Sequence, residues 1–484
     1  MRSTRQLIIL ILLCLGFAQS GRAQTLALTD GTIIDGNGGA PIHDGVIVVK
    51  DKRIVAVGPR ASVSVPAGAR VVKLEGKYIV PGLMDANVHF VSWPGWEHIE
   101  FLARYENNFD GLVEEAAQVA LKYGFTTVFD SMGPMDPLMR VRDRINRGEI
   151  PGSRMFIAGD IVGFRAVFTT SASMEAATPA FQKRINAMFE KNGGPDLSWK
   201  TPDQVREEMT KYVALGVDFV KYGANGDGRP INSSTGEENV LRFTPEQQRA
   251  MVEAVHAAGK IIQTHQESAE GLKSVLDAGV DMAQHCAITH ASRISDATIQ
   301  RMLDKKFYCG TQWRLLTDAE KEQVRDNKFL GSDADNGKEH VSYNLENEVR
   351  LIKAGVPLLV STDASVLDPD ITAAGGFVGT PLGEGEFLDM RAMHQRGMTN
   401  MAILQGATRN IAAAYHKLDQ IGTLEPGKMA DLVVLDADPL EDIENIRKMS
   451  LVMKEGSIID TAALPLHPIL TSPEAANPGA VRMK

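Results

Sequence analysis

Short apolar runs and amphipathic helical stretches alternate along the middle of the chain, and this alternation constrains the fold more than any other feature. Eight runs between residues 78 and 363 have the composition of buried strands, and helical periodicity separates most of them. Eight such repeats are typical of a (β/α)₈ TIM barrel, an α/β fold with an inner ring of parallel strands. The predicted strands are residues 78–86, 126–130, 155–158, 218–222, 261–265, 281–285, 307–311 and 357–363, and the clearest helices are 112–123, 202–215, 245–258 and 344–354.

The two ends of the chain have a different pattern from the middle. Residues 25–80 contain short β-type runs separated by Asp-Gly and Gly-Gly turns, and similar runs return between residues 431 and 459. Two half-sheets at opposite ends of a chain usually belong together, so we expect one small composite β-sandwich. The predicted organisation is a sandwich from residues 24–80 and 418–460, a barrel at 81–417 and a C-terminal extension at 461–484.

Residues 1–23 have the pattern of a signal peptide. Arg2 and Arg5 precede an apolar run at 7–17, and Gly-Arg-Ala ending at Ala23 resembles a cleavage site. The run is too short to span a bilayer; the alternative is an uncleaved anchor. Cleavage removes three arginines and no acid, which takes the formal net charge from −10 to −13. We therefore expect an exported protein, periplasmic or secreted, that binds neither nucleic acid nor, after cleavage, the membrane.

The first predicted barrel strand ends in Asn87 and His89. Residues two apart on a strand share a face, so these two side chains project together and can bind one metal ion. The Pro-Gly-x-x-Asp that precedes them makes the motif specific. The alternative is a strand-end histidine that is satisfied by hydrogen bonds.

Three further predicted strands end in residues of metal-binding type. Lys221 closes an otherwise apolar strand, where an ammonium group is costly to bury. A neutral lysine can react with CO₂ to give a carbamate, an anionic ligand that bridges two cations; the alternative is an unmodified lysine paired with an acid. His265 and His285 end adjacent strands, and neutral imidazoles suit Zn²⁺ and its first-row neighbours.

Asp363 ends the last predicted strand. A carboxylate there can contact a metal ion and accept a proton from water that the metal has made acidic. It can then pass that proton to a leaving nitrogen. The alternative is a helix N-cap.

The predicted loops at this end of the barrel are rich in aromatic residues, which suits an apolar or aryl substrate. Trp93 and Phe168 are candidates for substrate contact, although such aromatics also pack loops against each other. Tyr222 and His290 are candidates for polarising the scissile carbonyl, or for supporting the residues that do.

These motifs together resemble the amidohydrolase superfamily, in its imidazolonepropionase-like and prolidase-like branch. The matching stretches are residues 81–89, 216–221, 361–363 and 422–435, together with the two histidines. The resemblance implies that Asn87 and His89 hold the more buried metal and that His265 and His285 hold the other. It also implies that carboxylated Lys221 (N6-carboxylysine) bridges the two and that Asp363 is both ligand and general base.

Asn87 departs from the usual pattern, which has histidine there. Asn-x-His resembles a less common subgroup that includes phenylurea and molinate hydrolases. We therefore expect hydrolysis of an amide, urea or carbamate C–N bond by metal-activated hydroxide. The expected cofactor is one or two divalent ions per subunit, Zn²⁺ first, with Mn²⁺, Co²⁺ or Fe²⁺ as alternatives.

Two other functions stay open at this point. One is an Xaa-Pro-type dipeptidase or carboxypeptidase, which needs a carboxylate anchor such as Arg165 or Arg314. The other is a non-catalytic ligand-binding protein whose metal site has degenerated at Asn87. In each case we expect a small-molecule partner and a homo-oligomer.

Overall fold

The structure is a computed structural model, and several predicted features fall outside the part that it describes. It describes residues 25–91, 103–163, 178–197, 199–225, 241–289, 292–329, 343–366, 380–465 and 469. The signal segment predicted at residues 1–23 and most of the extension predicted at 461–484 lie outside these ranges, as do Trp93, Phe168 and His290.

Strands and helices alternate in the central part of the described chain, and strands dominate near both ends. The strands are β1 Leu26–Ile33, β2 Ile42–Lys50, β3 Arg53–Pro59, β4 Arg70–Lys73, β5 Tyr78–Pro81, β6 Leu83–Val88, β7 Phe125–Asp130, β8 Arg154–Ile157, β9 Ile161–Val162, β10 Val220–Gly223, β11 Ile262–His265, β12 Met282–Gln284, β13 Tyr308–Gly310, β14 Leu358–Leu359, β15 Leu432–Leu435, β16 Met449–Lys454 and β17 Ser457–Ile459. The α-helices are α1 Phe109–Lys122, α2 Met135–Asn146, α3 Pro179–Glu190, α4 Pro202–Ala214, α5 Pro245–Ala257, α6 Ala269–Ala278, α7 Asp296–Asp304, α8 Asp318–Asp326, α9 Asn344–Ala354, α10 Glu384–Gln395, α11 Asn400–Gly406 and α12 Arg409–Ala414. Short 3₁₀ helices cover Ile443–Arg447 and Thr461–Ala463.

One sheet is built from both ends of the chain. Its strand order is β17-β16-β15-β5-β1-β2-β3, and β4 pairs with β1 off this path. The two halves meet where β15 runs antiparallel to β5, with Val433 opposite Val80. Alternate side chains of these strands, including Leu28, Ile47 and Leu432, form a separate apolar core. The two ends of the chain therefore build one sheet together, as expected for a composite β-domain.

The barrel strands form two parallel sheets, β6-β7-β8 and β9-β10-β11-β12-β13-β14. Backbone hydrogen bonds beyond the strand ladders join the two sheets at both seams. The Ala86 N–H donates to the Val360 carbonyl at 3.0 Å, and the Asp363 N–H donates to the Asn87 carbonyl at 2.9 Å. At the other seam, the Asp218 N–H donates to the Ile157 carbonyl at 2.8 Å. The order of strands around the ring is that of the expected (β/α)₈ barrel.

Local sequence signals mark where the helices begin and where they end. Thr201 and Thr244 form capping boxes with the glutamine three residues on, and a proline opens each helix, α4 and α5. Five glycines that follow helices all have positive φ, which only glycine adopts without strain: Gly124, Gly216, Gly259, Gly279 and Gly355. Within the described residues, no helix combines the length and apolar composition that crossing a membrane requires.

The strand predicted at residues 78–86 is divided in two at Gly82. β5 belongs to the composite sheet and β6 to the barrel, so one extended segment carries the chain from one domain into the other. Gly82 lies so close to β7 that a Cβ atom there would come 2.7 Å from Thr126 Cγ2. A side chain at this junction would push β6 away from β7.

Candidate metal centre

All six predicted ligand residues lie at the carboxyl ends of barrel strands. Asn87 is in β6 and His89 follows it; Lys221 is in β10; His265 ends β11; His285 follows β12; and Asp363 lies shortly after β14. All are buried except His265, which is partly buried. Polar side chains are seldom placed inside a barrel unless they bind each other or a ligand, so this clustering marks the active-site end.

Asp363 is the centre of the cluster. The Asn87 Nδ2 amide donates to its Oδ1, and His89 Nε2 lies 3.2 Å from the same oxygen. His285 Nε2 lies 3.5 Å from the other oxygen, Oδ2. Burial raises the pKa of Asp363, but His285, His89 and Lys221 outweigh it and hold the pKa well below its ordinary value. Asp363 is therefore a carboxylate across the physiological pH range.

Lys221 is fully buried beside Asn87. Its Nζ donates to the Asn87 Oδ1 at 2.9 Å, so its hydrogen-bond partner is a neutral amide. Burial lowers the pKa of Lys221 to about 8, while the carboxylates of Asp363 and Asp130 oppose that shift. Because burial lowers this pKa, a fraction of the Lys221 side chains carries the neutral amine near neutral pH.

Two of the histidines, His285 and His89, favour the neutral state that metal binding needs. Burial lowers the pKa of His285 to about 3, and burial followed by the charge of Lys221 lowers the pKa of His89. Both ring nitrogens of His285 and the Nδ1 of His89 are buried without a hydrogen bond within the described part of the chain. The His265 and His285 rings are 4.4 Å apart between centroids, and His265 Nε2 lies 3.3 Å from Glu267 Oε1.

Two cluster residues have an unusual backbone conformation. His285 has φ of 64° and Asp363 has φ of 54°, both in the left-handed region that residues other than glycine rarely adopt. Such strain persists only where the surrounding structure enforces it, and it concentrates at functional sites. The chain leaves both strands by a turn that aims these side chains into the cluster.

Asp85 is the acid that precedes the Asn-x-His motif, and its hydrogen bonds give it a structural role. Its Oδ1 accepts hydrogen bonds from the Asn87 N–H at 2.9 Å and the Thr362 N–H at 3.3 Å, and its Oδ2 accepts from the Thr362 Oγ1 at 2.5 Å. Burial raises the pKa of Asp85 to about 7, against the lowering effect of these donors. Asp85 therefore fastens the strand of Asn87 to the strand of Asp363.

The donor set fits a divalent metal ion. Neutral imidazole and carboxylate are the usual ligands of Zn²⁺ and its first-row neighbours, and an amide oxygen is a weaker, harder donor. The unpartnered nitrogens of His285 and His89 supply lone pairs that nothing else in the described chain uses. No three His, Cys, Asp or Glu side chains among the described residues already stand in a ligating arrangement. Asp363 instead contacts Asn87 and the imidazoles directly.

Of the predicted substrate residues, only Tyr222 is described, and it does not join the cluster. Tyr222 neighbours Lys221 on β10 and so points to the opposite face of the strand. It is fully buried, and its hydroxyl donates to Gln248 on α5 at 2.9 Å. Burial raises its pKa above the ordinary value. Tyr222 packs the strand against the helix layer, and this placement corrects the expectation that it contacts substrate.

Gln312 is a site residue that sequence reasoning missed. It lies two residues beyond β13, and its Nε2 amide donates to Asp363 Oδ2. The only signal in the sequence was its position, a polar residue just past the predicted strand at 307–311. Arg314, considered as a carboxylate anchor, is exposed and paired with Glu320 at 2.9 Å.

Comparison with known proteins identifies the family to which the chain belongs. Residues 78–459 match the amidohydrolase family. The structure of molinate hydrolase is 36% identical with a TM-score of 0.82, and the match covers 93% of this chain and 97% of that one. Phenylurea hydrolase B is 34% identical with a TM-score of 0.81, covering 93% and 99%. Ochratoxinase from Aspergillus niger is 23% identical over 449 residues, 88% of this chain and 84% of that protein.

The chain belongs to the amidohydrolase family. It is an enzyme, a hydrolase acting on C–N bonds. The branch and the Asn-x-His subgroup expected from the sequence are confirmed by the likeness to molinate and phenylurea hydrolases. Members of this superfamily generally use divalent metal ions.

Proposed function

We propose that this enzyme hydrolyses carbamates, thiocarbamates or ureas of small, largely apolar molecules, with one or two divalent metal ions held at the Asp363 cluster. The observation that carries the proposal is the position of Asp363, which lies between the buried imidazoles His89 and His285. The likeness to molinate and phenylurea hydrolases, at 36% and 34% identity over nearly the whole chain, supports this substrate class.

The proposed ligands are divided between the strands. Asn87 and His89 would hold the more buried ion, His265 and His285 the second, and Lys221 would lie between them. Bound divalent cations make water acidic enough to lose a proton near neutral pH and polarise a carbonyl oxygen. Zn²⁺ is the first candidate, and Mn²⁺, Co²⁺ and Fe²⁺ share the same donor preferences.

Asp363 moves the proton in the proposed reaction. Its carboxylate accepts a proton from the attacking water as the new C–O bond forms. It then gives that proton to the leaving nitrogen as the C–N bond breaks. One water molecule is consumed, and Asp363 returns to its starting charge. The depressed pKa of Asp363 keeps its side chain ionised, so the carboxylate carries no proton before the reaction begins.

Lys221 is proposed to carry a carbamate. Its neutral amine adds to CO₂, an N–C bond forms and one proton is released, which leaves an anionic group on a buried side chain. The present hydrogen bond to the Asn87 amide, rather than to a carboxylate, favours this over an ordinary ion pair. The modified side chain would bring the negative charge that two adjacent cations require.

The test is hydrolysis by purified, metal-quantified protein. The panel contains an N-aryl urea, a thiocarbamate, an N-aryl amide and several Xaa-Pro dipeptides. We expect turnover of the urea or thiocarbamate that chelation abolishes and added Zn²⁺, Mn²⁺ or Co²⁺ restores. Turnover of the dipeptides alone would instead indicate a dipeptidase. Binding of substrate without any turnover would contradict the proposal and indicate a ligand-binding protein.

Two variants test the roles of individual residues. Asp363→Asn should keep a folded barrel and lower turnover by at least ~10²-fold, the scale of positioned proton transfer. Lys221→Ala should lose metal and activity, with partial rescue by short carboxylic acids plus bicarbonate. An alanine variant with full metal content and full activity would remove Lys221 from the site.

A further inference from the structure

The side chain of Gln312 stands apart from the rest of the Asp363 cluster because it is exposed. Asn87, His89, His285 and Asp363 are buried, with between 0 and 8% of their surface accessible. Gln312 approaches from the loop after β13 and donates its amide hydrogen to Asp363 Oδ2. It is therefore the member of this group that faces the outside of the barrel.

The polar neighbours of Asp363 are arranged symmetrically. Each carboxylate oxygen has one primary amide and one imidazole nearby: Asn87 and His89 at Oδ1, Gln312 and His285 at Oδ2. Two amide donors that approach opposite oxygens fix the plane of the carboxylate. A base that must accept a proton from one atom and deliver it to another needs such a fixed orientation.

The backbone that carries Gln312 is anchored next to it. The Trp313 N–H donates to Asp389 Oδ1 at 3.0 Å, and Asp389 Oδ2 accepts from the Ser361 N–H at 3.4 Å. One buried carboxylate on α10 thus holds both the loop of Gln312 and the strand that leads to Asp363. The Leu316 N–H donates to Gln395 Oε1 at 2.8 Å, which ties the loop to α10 a second time.

Arg396 adds a third attachment for the same loop. Its guanidinium lies 5.2 Å from the centre of the Trp313 ring and donates to the Arg314 carbonyl at 2.9 Å. The buried Glu348 accepts from Arg396 Nε at 2.5 Å and balances its charge. A loop held in this way presents Gln312 at a fixed place, so its contact with Asp363 is built into the fold.

We propose that Gln312 is a positioning residue for the hydrolytic reaction, which holds the Asp363 carboxylate in the orientation that proton transfer requires. The proposal rests on the role of Asp363 as general base. Because Gln312 is exposed, it also lies where an incoming substrate meets the base. It acts through Asp363 and is not itself expected to bind metal.

The decisive variant is Gln312→Met, which keeps the length of the side chain and removes its N–H donor. We expect kcat to fall about 10-fold, the effect of one hydrogen bond to a charged group, with KM little changed. Metal content and melting temperature should stay at the wild-type values. Gln312→Glu places a second carboxylate against Asp363, so kcat should fall further than in Gln312→Met. The matched control is Gln300→Met, because exposed Gln300 donates to Asp304 at 2.8 Å on α7, outside the site.

A double-mutant cycle separates positioning from packing. If Gln312 acts through Asp363, Gln312→Met should have no further effect on turnover in the Asp363→Asn background. An equal loss in both backgrounds, or wild-type kcat in Gln312→Met, would overturn the proposal. So would loss of metal together with a lower melting temperature, which indicates a structural role.

A spectroscopic measurement keeps the inference testable if the substrate class is wrong. The visible absorption spectrum of Co²⁺-loaded protein reports the number and geometry of the ligands. It should differ between wild type and Gln312→Met, and not between wild type and Gln300→Met. A changed spectrum without turnover of any substrate would contradict the proposed function alone, whereas an unchanged spectrum would contradict the role of Gln312.

Discussion

At the scale of single residues, the Asn87 amide connects two of the proposed site residues. Its Oδ1 accepts from Lys221 and its Nδ2 donates to Asp363, so one side chain joins the proposed bridging residue to the proposed base. The amide orientation follows from these partners, since an amine donor and a carboxylate acceptor leave only one favourable assignment. Asn87 therefore combines a weak oxygen donor with a positional role.

Substitutions at Asn87 test this double role. Asn87→Ala removes both contacts and should lower metal content and turnover together. Asn87→His restores the imidazole that most of the superfamily has, so it should retain or tighten metal binding and change substrate preference. The measurement is metal stoichiometry by elemental analysis beside hydrolysis rates. Unchanged values in Asn87→Ala would exclude a ligand role.

The sequence could predict the buried residues of this cluster but not its exposed member. Asn87, His89 and Asp363 follow recognisable apolar runs, so the barrel topology alone brings them together. Gln312 follows such a run too, but an exposed glutamine carries no signal until its contact with Asp363 is seen. Tyr222 was a candidate for substrate contact because it is next to Lys221 in the sequence, but its side chain lies on the other face of the strand.

At the scale of secondary-structure elements, the barrel interior contains a chain of buried amides beneath the cluster. Gln284 Nε2 donates to Gln263 Oε1 at 2.7 Å, and Gln263 Nε2 donates to Ser131 Oγ at 2.7 Å. Ser361 Oγ donates to Gln284 Oε1, and the Tyr415 hydroxyl lies 3.1 Å from Gln263 Oε1. Gln284 precedes His285 directly, so this network fixes the strand ends that carry the proposed ligands.

Strand β13 accommodates the network because it has a glycine there. A Cβ atom on Gly310 would lie 2.6 Å from Ser361 Oγ and 2.9 Å from Gln284 Cδ, closer than atoms pack. Gly310→Ala should therefore displace Gln284 and lower the melting temperature and the metal content together. Gly39→Ala is the matched control, because a Cβ there meets no atom within 4 Å. Wild-type metal retention in Gly310→Ala would show that the network does not position the ligands.

The elements themselves were largely predictable, and their pairing was less so. Helix α9 matches its predicted range of residues 344–354, since a clear apolar period and a terminal glycine define it. β4 was not predicted, because Arg70–Lys73 is short and mostly exposed and is held by pairing with β1. Two of the short β-type runs within residues 25–80, at 26–28 and 32–34, meet in one strand, β1, which continues through an irregularity at Asp30, where φ is 70°.

At the scale of the whole molecule, a buried arginine joins the barrel to the composite sheet. Arg154, at the start of β8, donates to Thr127 at 3.0 Å within the barrel and to Asp431 Oδ2 at 2.6 Å beside β15. Its second nitrogen reaches Glu455 at 3.1 Å. Asp431 in turn accepts from the Glu455 N–H at 2.7 Å, so the C-terminal strands of the composite sheet meet the barrel through one charged cluster.

Removing Arg154 should destabilise the whole protein. Arg154→Met keeps the aliphatic length of the side chain but leaves Asp431, whose side chain is 4% exposed, without its cation. Breaking a buried ion pair from one side costs about 3 kcal/mol or more, because the remaining charge stays desolvated. We expect the free energy of unfolding in urea to fall by about this amount and the loss to depend little on salt, since buried pairs are weakly screened.

Two further variants distinguish a specific cluster from a general loss of charge. Arg206→Met removes an exposed arginine paired with Asp203 and Glu253 on the helix surface, and exposed pairs of this kind contribute little. Its urea midpoint should match that of the wild type. Adding Asp431→Asn to Arg154→Met removes the uncompensated charge and should recover part of the lost stability. If the double variant were no more stable than Arg154→Met, lost packing would account for the lower free energy of unfolding. The uncompensated charge of Asp431 would then not be its cause.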